Sequence, residues 1–257
     1  MYTSLQLVEI FHLEFLRWFA RKLKPEKYAL KGGVNLRFFF KSFRYSEDMD
    51  LDVSGIEVGD LKELVINIFN NSSFKNTLIS FGIKEVLPPD LAKAKQTETT
   101  QRFKTHLLTS AGEDLFTKIE FSRRGMKGNI ITEPISDLIL RGYKLPPLLV
   151  SHYDNQSAVL QKIDALATRS VTQARDIFDL FLLSSQFDQK SFDKAKINHT
   201  KIEQAYNKIF ELSFNVFKNT VLSYLSWEDQ NTYNLPAVWD EIKLKVAAFI
   251  EELQKHE

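Results

Sequence analysis

The spacing of apolar residues along the first 135 positions alternates between that of helices and that of strands. Apolar residues that recur every three to four positions predict an amphipathic helix, and those that alternate or run together over a few positions predict a strand. Pro25 ends the first helical segment, and the pair Gly32-Gly33 ends the strand segment that follows it. We expect helices over residues 4–23, 34–43 and 60–80, and strands over residues 28–31, 49–53, 100–110 and 115–123.

The pattern after about residue 135 is almost entirely helical. The pair Pro146-Pro147 is the most favoured position for a domain boundary. Helices are predicted over residues 156–168, 172–185, 200–225 and 236–254. The sequence therefore predicts an α+β protein in which an α/β domain over residues 1–146 is followed by a helical domain over residues 147–257.

Composition excludes several classes of protein. Of the 257 residues, 44% are hydrophobic and 26% are charged, which is typical of a globular chain. Cysteine is absent, so disulfides, thiol catalysis and thiolate zinc sites are excluded. No apolar run reaches the roughly 18–20 residues that span a bilayer, and the N-terminus has no basic start followed by an apolar run. We expect a cytoplasmic protein that does not enter a membrane.

Three aspartates alternate over residues 48–52, in a segment that otherwise reads as a strand. Because side chains in a strand point alternately to its two sides, Asp48, Asp50 and Asp52 share one side. Carboxylates so close repel one another unless a cation lies between them. Asp48 and Asp50 are therefore candidate ligands of Mg²⁺ or Mn²⁺, which prefer oxygen ligands. The alternative for this segment alone is a solvated strand end.

The pair Gly32-Gly33 directly follows a predicted strand and begins a predicted helix. Without side chains there, backbone N–H groups at the helix N-terminus can approach a phosphate. By itself such a pair is more often a turn. A phosphate-binding turn followed about 15 residues later by a metal-binding strand is, however, the combination that nucleotidyl transfer needs.

The distribution of charge agrees with a polyphosphate substrate. The formal net charge is only +1, from 34 basic and 33 acidic residues. Residues 17–44 nevertheless contain nine basic residues against the single acid Glu26, and the acidic segment follows directly. A basic block beside a carboxylate cluster attracts polyphosphate to a metal site. A solvated helix face explains part of the block equally well.

These residues resemble a known family. Lys31-Gly32-Gly33-Val34-Asn35-Leu36-Arg37, with Arg44-Tyr45-Ser46-Glu47-Asp48-Met49-Asp50-Leu51, looks like the first motif of the AbiEii-type nucleotidyl transferases, which belong to the DNA polymerase β-like superfamily. Val34-Asn35 replaces the commoner Thr-Ala, and Met49 replaces Ile. The resemblance implies a polymerase β-like nucleotidyltransferase domain with a mixed sheet, in which Gly32, Gly33 and Ser46 hold the triphosphate and Arg37 balances its charge. It also implies a third metal-binding carboxylate on a neighbouring strand, for which Glu120 is the best candidate.

A second charged block lies in the helical half, from Lys162 to Leu180. Asp176 and Asp179 are three positions apart and share a helix face, and Arg175 is placed to pair with Asp179. An ion-pair network that joins two helices would explain these residues without catalysis. The family resemblance, which extends over roughly residues 28–185, instead implies that Lys162 contacts the nucleotide phosphates and that Asp176 completes the site, with Asp176 as a general base.

The resemblance implies a Mg²⁺-dependent enzyme that transfers a nucleoside monophosphate from a nucleoside triphosphate to an acceptor. The leading acceptor is the 3′ end of transfer RNA. It further implies the toxin of a type IV toxin–antitoxin or phage-abortive system, with a separately encoded antitoxin. Alternative acceptors are a protein hydroxyl and a small molecule. A non-catalytic RNA- or partner-binding module is the remaining alternative, and the clustered carboxylates argue against it.

Overall fold

The computed structural model of the chain describes residues 2–90, 96–192 and 198–255. Its internal contacts divide it into two units, one of Met1–Phe39 with Tyr45–Tyr153 and the other of Phe40–Arg44 with Asp154–Glu257. The first unit runs seven residues past the sequence-based boundary at 146 because residues 149–153 form a strand of its sheet. That the two parts are independent domains stays a prediction.

The first unit contains a seven-stranded mixed sheet. Its strands are β1 (Tyr28–Lys31), β2 (Asp48–Val53), β3 (Ile83–Leu87), β4 (Thr100–Thr109), β5 (Asp114–Ser122), β6 (Ile130–Pro134) and β7 (Leu149–Tyr153), in the spatial order β3-β4-β5-β2-β1-β7-β6. The pairs β1–β7 and β2–β5 are parallel, and the other neighbours are antiparallel. The α+β class and the mixed sheet are confirmed, whereas β3, β6 and β7 were not expected from the hydrophobic pattern.

The helices of the first unit are α1 (Ser4–Ala20), α2 (Gly32–Phe39), α3 (Val58–Asn70), α4 (Ser72–Phe81) and α5 (Asp137–Gly142), with a 3₁₀ turn at Pro25–Lys27. The single helix expected over 60–80 is wrong, since the chain breaks at Asn71. Asn71 has an extended backbone, and its side chain accepts a hydrogen bond from the N–H of Phe74. Asparagine is a favoured N-cap, so this residue ends α3 and begins α4.

An aromatic core covers one face of the sheet. Phe11, Phe15 and Phe19 of α1 are fully buried in it, and Phe19 packs against Phe121 of β5. Burial of such a side chain contributes roughly 1.5–3 kcal/mol. Met49, Leu51, Ile119 and Phe121 belong to the same core. Because strand side chains alternate, the residues between them, including Asp48, Asp50 and Glu120, lie on the opposite face.

The second unit is helical. It contains α6 (Asn155–Thr168), α7 (Ala174–Ser184), α8 (His199–Lys208), α9 (Phe214–Thr220), α10 (Trp227–Tyr233) and α11 (Pro236–Lys255), with 3₁₀ turns at Ile209–Glu211 and Leu222–Tyr224. The single helix expected over 200–225 is wrong, since Leu212 and Ser213 are extended and separate it into shorter pieces. Trp239 stabilises this break, because its indole N–H donates to the carbonyl of Leu212 while its ring stacks on Phe217 at 4.3 Å.

Among residues 2–90, 96–192 and 198–255, no helix combines the length and the apolar character that a membrane span requires.

Candidate active site

Sheet register places the acidic residues of β2 beside charged residues of both neighbouring strands. Asp50 lies opposite Lys31 of β1 on one side and opposite Glu120 of β5 on the other. Asp48 lies opposite Lys118 of β5. Directly paired residues of neighbouring strands share a face. These register pairs therefore bring three carboxylates and two ammonium groups together on the polar face of the sheet.

Neither carboxylate at the start of β2 is fully stabilised by its protein neighbours. Asp48 Oδ2 accepts from Lys118 Nζ at 2.8 Å, whereas Asp48 Oδ1 is buried and has no hydrogen-bond partner. Burial, followed by the charge of Glu120, raises the pKa of the Asp50 carboxyl, although Lys31 and Lys118 oppose the shift. A buried carboxylate oxygen without a donor is costly unless a cation satisfies it. The oxygen ligands of Asp48 and Asp50 thus fit a divalent cation such as Mg²⁺.

Gly32 is in close contact with the Asp50 carboxylate. It begins α2, its φ is +68°, and a Cβ atom built on it would lie 2.9 Å from Asp50 Oδ2. Only glycine adopts that backbone conformation at low cost, and only glycine leaves the carboxylate in place. Gly33 follows in the first turn of α2. The glycine pair and Asp50 therefore form one structural feature, although they are far apart in the sequence.

Gly32→Ala is expected to reduce nucleotidyl transfer more than it reduces stability. The left-handed backbone costs a non-glycine residue about 1–2 kcal/mol, and the new methyl group displaces the Asp50 carboxylate. Urea unfolding and transfer kinetics measure the two effects. Gly55→Ala is the matched control, because Gly55 has φ +61° and its Cβ would meet only Lys27 Cε at 4.0 Å. Equal activity in both variants would show that the contact with Asp50 is irrelevant.

Glu120 is held by a cation of its own. Its carboxylate pairs with Arg102 of β4 at 2.7 Å. Within the part of the chain that the structure describes, no group of three or more His, Cys, Asp or Glu side chains is arranged to hold a metal ion. The register confirms that Glu120 lies on the same face as Asp50, whereas its role as a third metal ligand stays a prediction.

Asp52, the third alternating aspartate, has a different environment. Its carboxylate accepts from Lys31 Nζ at 2.6 Å and from the Tyr153 hydroxyl at 2.7 Å. The residue is 6% exposed and both of its oxygens have donors. Asp52 therefore joins β1, β2 and β7, which are neighbours in the sheet, and it has no need of a metal ion.

Two residues predicted to contact the triphosphate have protein partners. The Ser46 hydroxyl donates to the backbone carbonyl of Asp48 at 2.8 Å, which fixes the beginning of β2. The Arg37 guanidinium donates to Glu9 at 2.6 Å and lies 4.3 Å from the centre of the Tyr45 ring. Glu9 also accepts from the Tyr143 hydroxyl. Contacts of Ser46 and Arg37 with a nucleotide stay predictions.

A buried hydrogen-bond chain, which sequence patterns do not reveal, supports the backbone before Asp48. The Thr117 hydroxyl donates to the carbonyl of Glu47 at 2.7 Å. Since that hydroxyl has one hydrogen, it must accept from His12 Nε2, 2.8 Å away. His12 is thereby the neutral tautomer protonated at Nε2. Burial lowers the pKa of His12 to about 3, in agreement with this assignment.

The buried His12 is expected to make the protein less stable in weak acid. The unfolded chain binds a proton near pH 6.5, whereas the native imidazole resists protonation down to about pH 3. Its contribution to stability is therefore present above pH 6.5 and is lost as pH falls toward 3, at up to about 1.4 kcal/mol per pH unit. Urea unfolding at pH 7.5 and pH 5 should show a smaller pH dependence for His12→Gln than for the parent. The exposed His199→Gln is the control, and an equal slope in all three proteins would contradict the assignment.

The charged block of the helical unit forms a buried network. Lys162 Nζ of α6 lies 3.0 Å from Asp176 Oδ1 and 2.6 Å from Asp179 Oδ2, both on α7. The guanidinium of Arg44 donates to both oxygens of Asp179 at 3.0 Å. Arg169 Nε lies 3.2 Å from Asp176 Oδ2. The expected partner Arg175 is exposed, so Arg44 takes the place that helix spacing suggested for it.

The network has the geometry of ion pairs that join two helices, the alternative to catalysis, because Lys162 of α6 pairs with two aspartates of α7. Asp176 and Asp179 have no exposed surface. Burial alone would raise the pKa of Asp179, but the charges of Arg44 and Lys162 lower it to about 2. The carboxylate thus stays ionised at all physiological pH values. A catalytic role of Lys162 and Asp176 stays a prediction.

The fold is shared with solved structures. MenT4, a nucleotidyltransferase toxin of Mycobacterium tuberculosis H37Rv, superposes with a TM-score of 0.66 at 14% identity, covering 99% of this chain and 85% of that one. A Helicobacter pylori protein assigned as a nucleotidyltransferase gives a TM-score of 0.61 at 16% identity, covering 99% and 96%. JHP933 from H. pylori gives 0.58 at 17% identity, covering 99% and 94%. At these identities the likeness is one of fold.

Sequence comparison supplies the family. A search of curated proteins finds no match. A family model described as "Nucleotidyl transferase AbiEii toxin, Type IV TA system" matches residues 14–236, which include the glycine pair, the acidic strand and the buried network. The chain therefore belongs to the AbiEii nucleotidyl transferase toxin family of type IV toxin–antitoxin systems.

Proposed function

We propose that this nucleotidyltransferase toxin moves a nucleoside monophosphate from a nucleoside triphosphate to the 3′ end of transfer RNA, with Mg²⁺ or Mn²⁺ at Asp48 and Asp50. It would act in the cytoplasm, where both substrates are found. The observation that carries the proposal is the carboxylate pair of β2, in which Asp48 Oδ1 is buried without a donor and Asp50 lies against Gly32.

The residues of the site would have separate roles in binding the cation and in binding the phosphates. When bound, the divalent cation would neutralise triphosphate charge and act as a Lewis acid at the reacting phosphate. The N-terminus of α2 at Gly32 and Gly33 offers N–H groups and positive potential to the phosphates. Lys31 and Lys118 lie opposite Asp50 and Asp48 and add positive charge. The position of the Gly32-Gly33 turn beside Asp50 supports the proposal that phosphates and a cation are bound next to each other.

The transfer itself exchanges one P–O bond for another. The 3′ oxygen of the acceptor bonds to the α-phosphorus, the bond from that phosphorus to the α–β bridging oxygen breaks, and pyrophosphate leaves. The proton of the attacking hydroxyl passes to a base, for which Asp176 is the predicted group. In the structure Asp176 is fully buried beside Lys162 and Arg169, so this role requires those contacts to open.

Acceptor identity is tested by presenting the candidates separately. The protein is incubated with Mg²⁺ and each α-labelled nucleoside triphosphate, with intact transfer RNA, transfer RNA whose 3′ diol has been oxidised by periodate, or total protein. We expect label in intact transfer RNA and none in the oxidised form. Label in protein, or equal labelling of both RNA forms, would contradict the proposal.

The toxin role is tested in cells. Expression of the parent should inhibit growth, and Asp48→Asn should relieve the inhibition at equal protein level. Since the family implies a cognate antitoxin, co-expression of that antitoxin should also restore growth. Persistent inhibition by a folded Asp48→Asn would separate toxicity from nucleotidyl transfer.

A further inference from the structure

The polar face of the sheet continues from the carboxylate pair onto β5 and β4. Lys118 lies opposite Asp48 on one side and opposite Lys104 of β4 on the other. The next register pair along the same face is Phe116 with His106. We call Lys104, His106, Phe116 and Lys118 the β4–β5 strip. It begins at Asp48 and extends away from it along the strands.

The strip combines exposed positive charge with an exposed aromatic ring. Phe116 is 39% exposed, unlike the fully buried Phe103 and Phe121 of the same two strands. The His106 ring lies against it, with centroids 5.4 Å apart. Lys104 is exposed and, among the described residues, forms no ion pair. Successive same-face residues of a strand are about 7 Å apart, so each step along β5 offers a new group to an extended ligand.

We propose that the β4–β5 strip binds the single-stranded 3′ end of the RNA acceptor, with phosphates at Lys104 and Lys118 and a base stacked on Phe116. This inference rests on the proposed function, because it concerns how that acceptor is held. Exposed sheet faces that combine aromatic and basic side chains suit unpaired nucleotides, since every base has a face that can stack.

The charges of the strip favour RNA over a protein partner. Two neighbouring acids have a lysine or arginine partner, since Asp48 pairs with Lys118 and Glu120 pairs with Arg102. A further acid, Asp114, lies 2.9 Å from His106 Nδ1 at the end of the strip away from Asp48. Phe116 is apolar, and the other three side chains of the strip carry a ring nitrogen or an ammonium group. The centre of a protein interface, by contrast, is depleted in charged side chains. An extended polyanion with stackable bases complements this arrangement.

The experiment measures RNA binding directly, in EDTA so that no transfer occurs. Fluorescence anisotropy compares intact transfer RNA with transfer RNA trimmed of its single-stranded 3′ nucleotides. Phe116→Ala is expected to raise the Kd for intact RNA about tenfold and to leave the Kd for trimmed RNA nearly unchanged. Lys104→Ala should weaken binding and reduce the slope of log K against log salt by about 0.7. Thermal unfolding verifies that each variant is folded.

Matched controls come from surfaces outside the strip. Lys62→Ala removes an exposed lysine from α3, which packs on the apolar face of the sheet. Leu138→Ala removes an exposed apolar side chain from α5. Both should bind RNA as the parent does.

The outcomes separate this inference from the proposed function. Unchanged RNA binding by Phe116→Ala and Lys104→Ala, with transfer RNA still labelled by the parent, would overturn the strip alone. A parent that neither binds nor labels RNA would overturn both proposals. If the two substitutions weaken only the binding of the antitoxin, the strip is a protein interface and the inference is wrong.

Discussion

Asp50→Asn is expected to reduce kcat for nucleotidyl transfer by about 10²–10³-fold or more, while raising the free energy of unfolding. Asparagine keeps the shape of the side chain but removes the charge that would hold a divalent cation. The same charge is unfavourable in the folded protein, because burial and Glu120 raise the pKa of Asp50. A carboxyl with a raised folded pKa stabilises the protein only when protonated, so the neutral side chain should be favourable at pH 7. Loss of activity with a gain of stability is typical of a functional residue.

Asp52→Asn is the comparison variant for this prediction. Asp52 lies on the same face of β2, but its carboxylate is held by Lys31 and Tyr153. Its replacement should lower stability, while the folded fraction keeps most of its transfer activity. Thermal unfolding and label transfer at a temperature where all proteins are folded provide both quantities. If Asp50→Asn and Asp52→Asn lose activity equally, the special position of Asp50 is refuted.

Asp179→Asn is expected to destabilise the protein by about 3–5 kcal/mol, since it leaves two buried cations without their shared partner. Arg44 is 5% exposed and Lys162 is 9% exposed. The pKa of Asp179 is lowered from 3.8 to about 2. The ionised carboxylate therefore contributes its full stabilisation above pH 3.8, and this stabilisation is lost as the pH falls toward 2. The destabilisation should therefore be fully present at pH 7 and should shrink in strong acid.

Urea unfolding of the parent and two variants measures this effect. Arg175→Ala is the control on the same helix, because Arg175 is exposed. We expect the control to unfold within about 0.5 kcal/mol of the parent. If Asp179→Asn unfolds like the control, the buried network does not stabilise the helical unit.

Local sequence patterns were sufficient where the deciding interactions are local. The strand at 28–31 has the predicted bounds, and the alternation of acids over 48–52 correctly places Asp48, Asp50 and Asp52 on one face. Period-two alternation also places Glu120 opposite the core residues Ile119 and Phe121. In each case the side-chain direction follows from the strand itself. The same reasoning could not show that Asp52 accepts a hydrogen bond from Tyr153, which is about 100 residues away.

Interactions between distant segments explain what the sequence did not predict. β7 is a strand because it pairs with β1 and β6, and its residues lack the alternation of apolar and polar side chains that predicts a strand. Lys118 and Thr117 reach Asp48 and Glu47 only because β5 is the parallel neighbour of β2. Likewise, Arg44 replaced Arg175 as the partner of Asp179 across 135 residues of chain. Which residues form hydrogen bonds and ion pairs with each other depends on sheet register and helix packing. Neither can be read from the periodicity of apolar residues in the local sequence.

Manganese binding tests the central claim, that Asp48 and Asp50 form the cation site, without knowledge of the acceptor. The parent, Asp48→Asn, Asp50→Asn and Asp52→Asn are titrated with Mn²⁺ in the presence of a non-hydrolysable nucleoside triphosphate, and free Mn²⁺ is followed by electron paramagnetic resonance. The parent and Asp52→Asn should bind Mn²⁺ with similar affinity, and the other two variants should bind at least about tenfold more weakly. Parental affinity in both Asp48→Asn and Asp50→Asn would contradict the account.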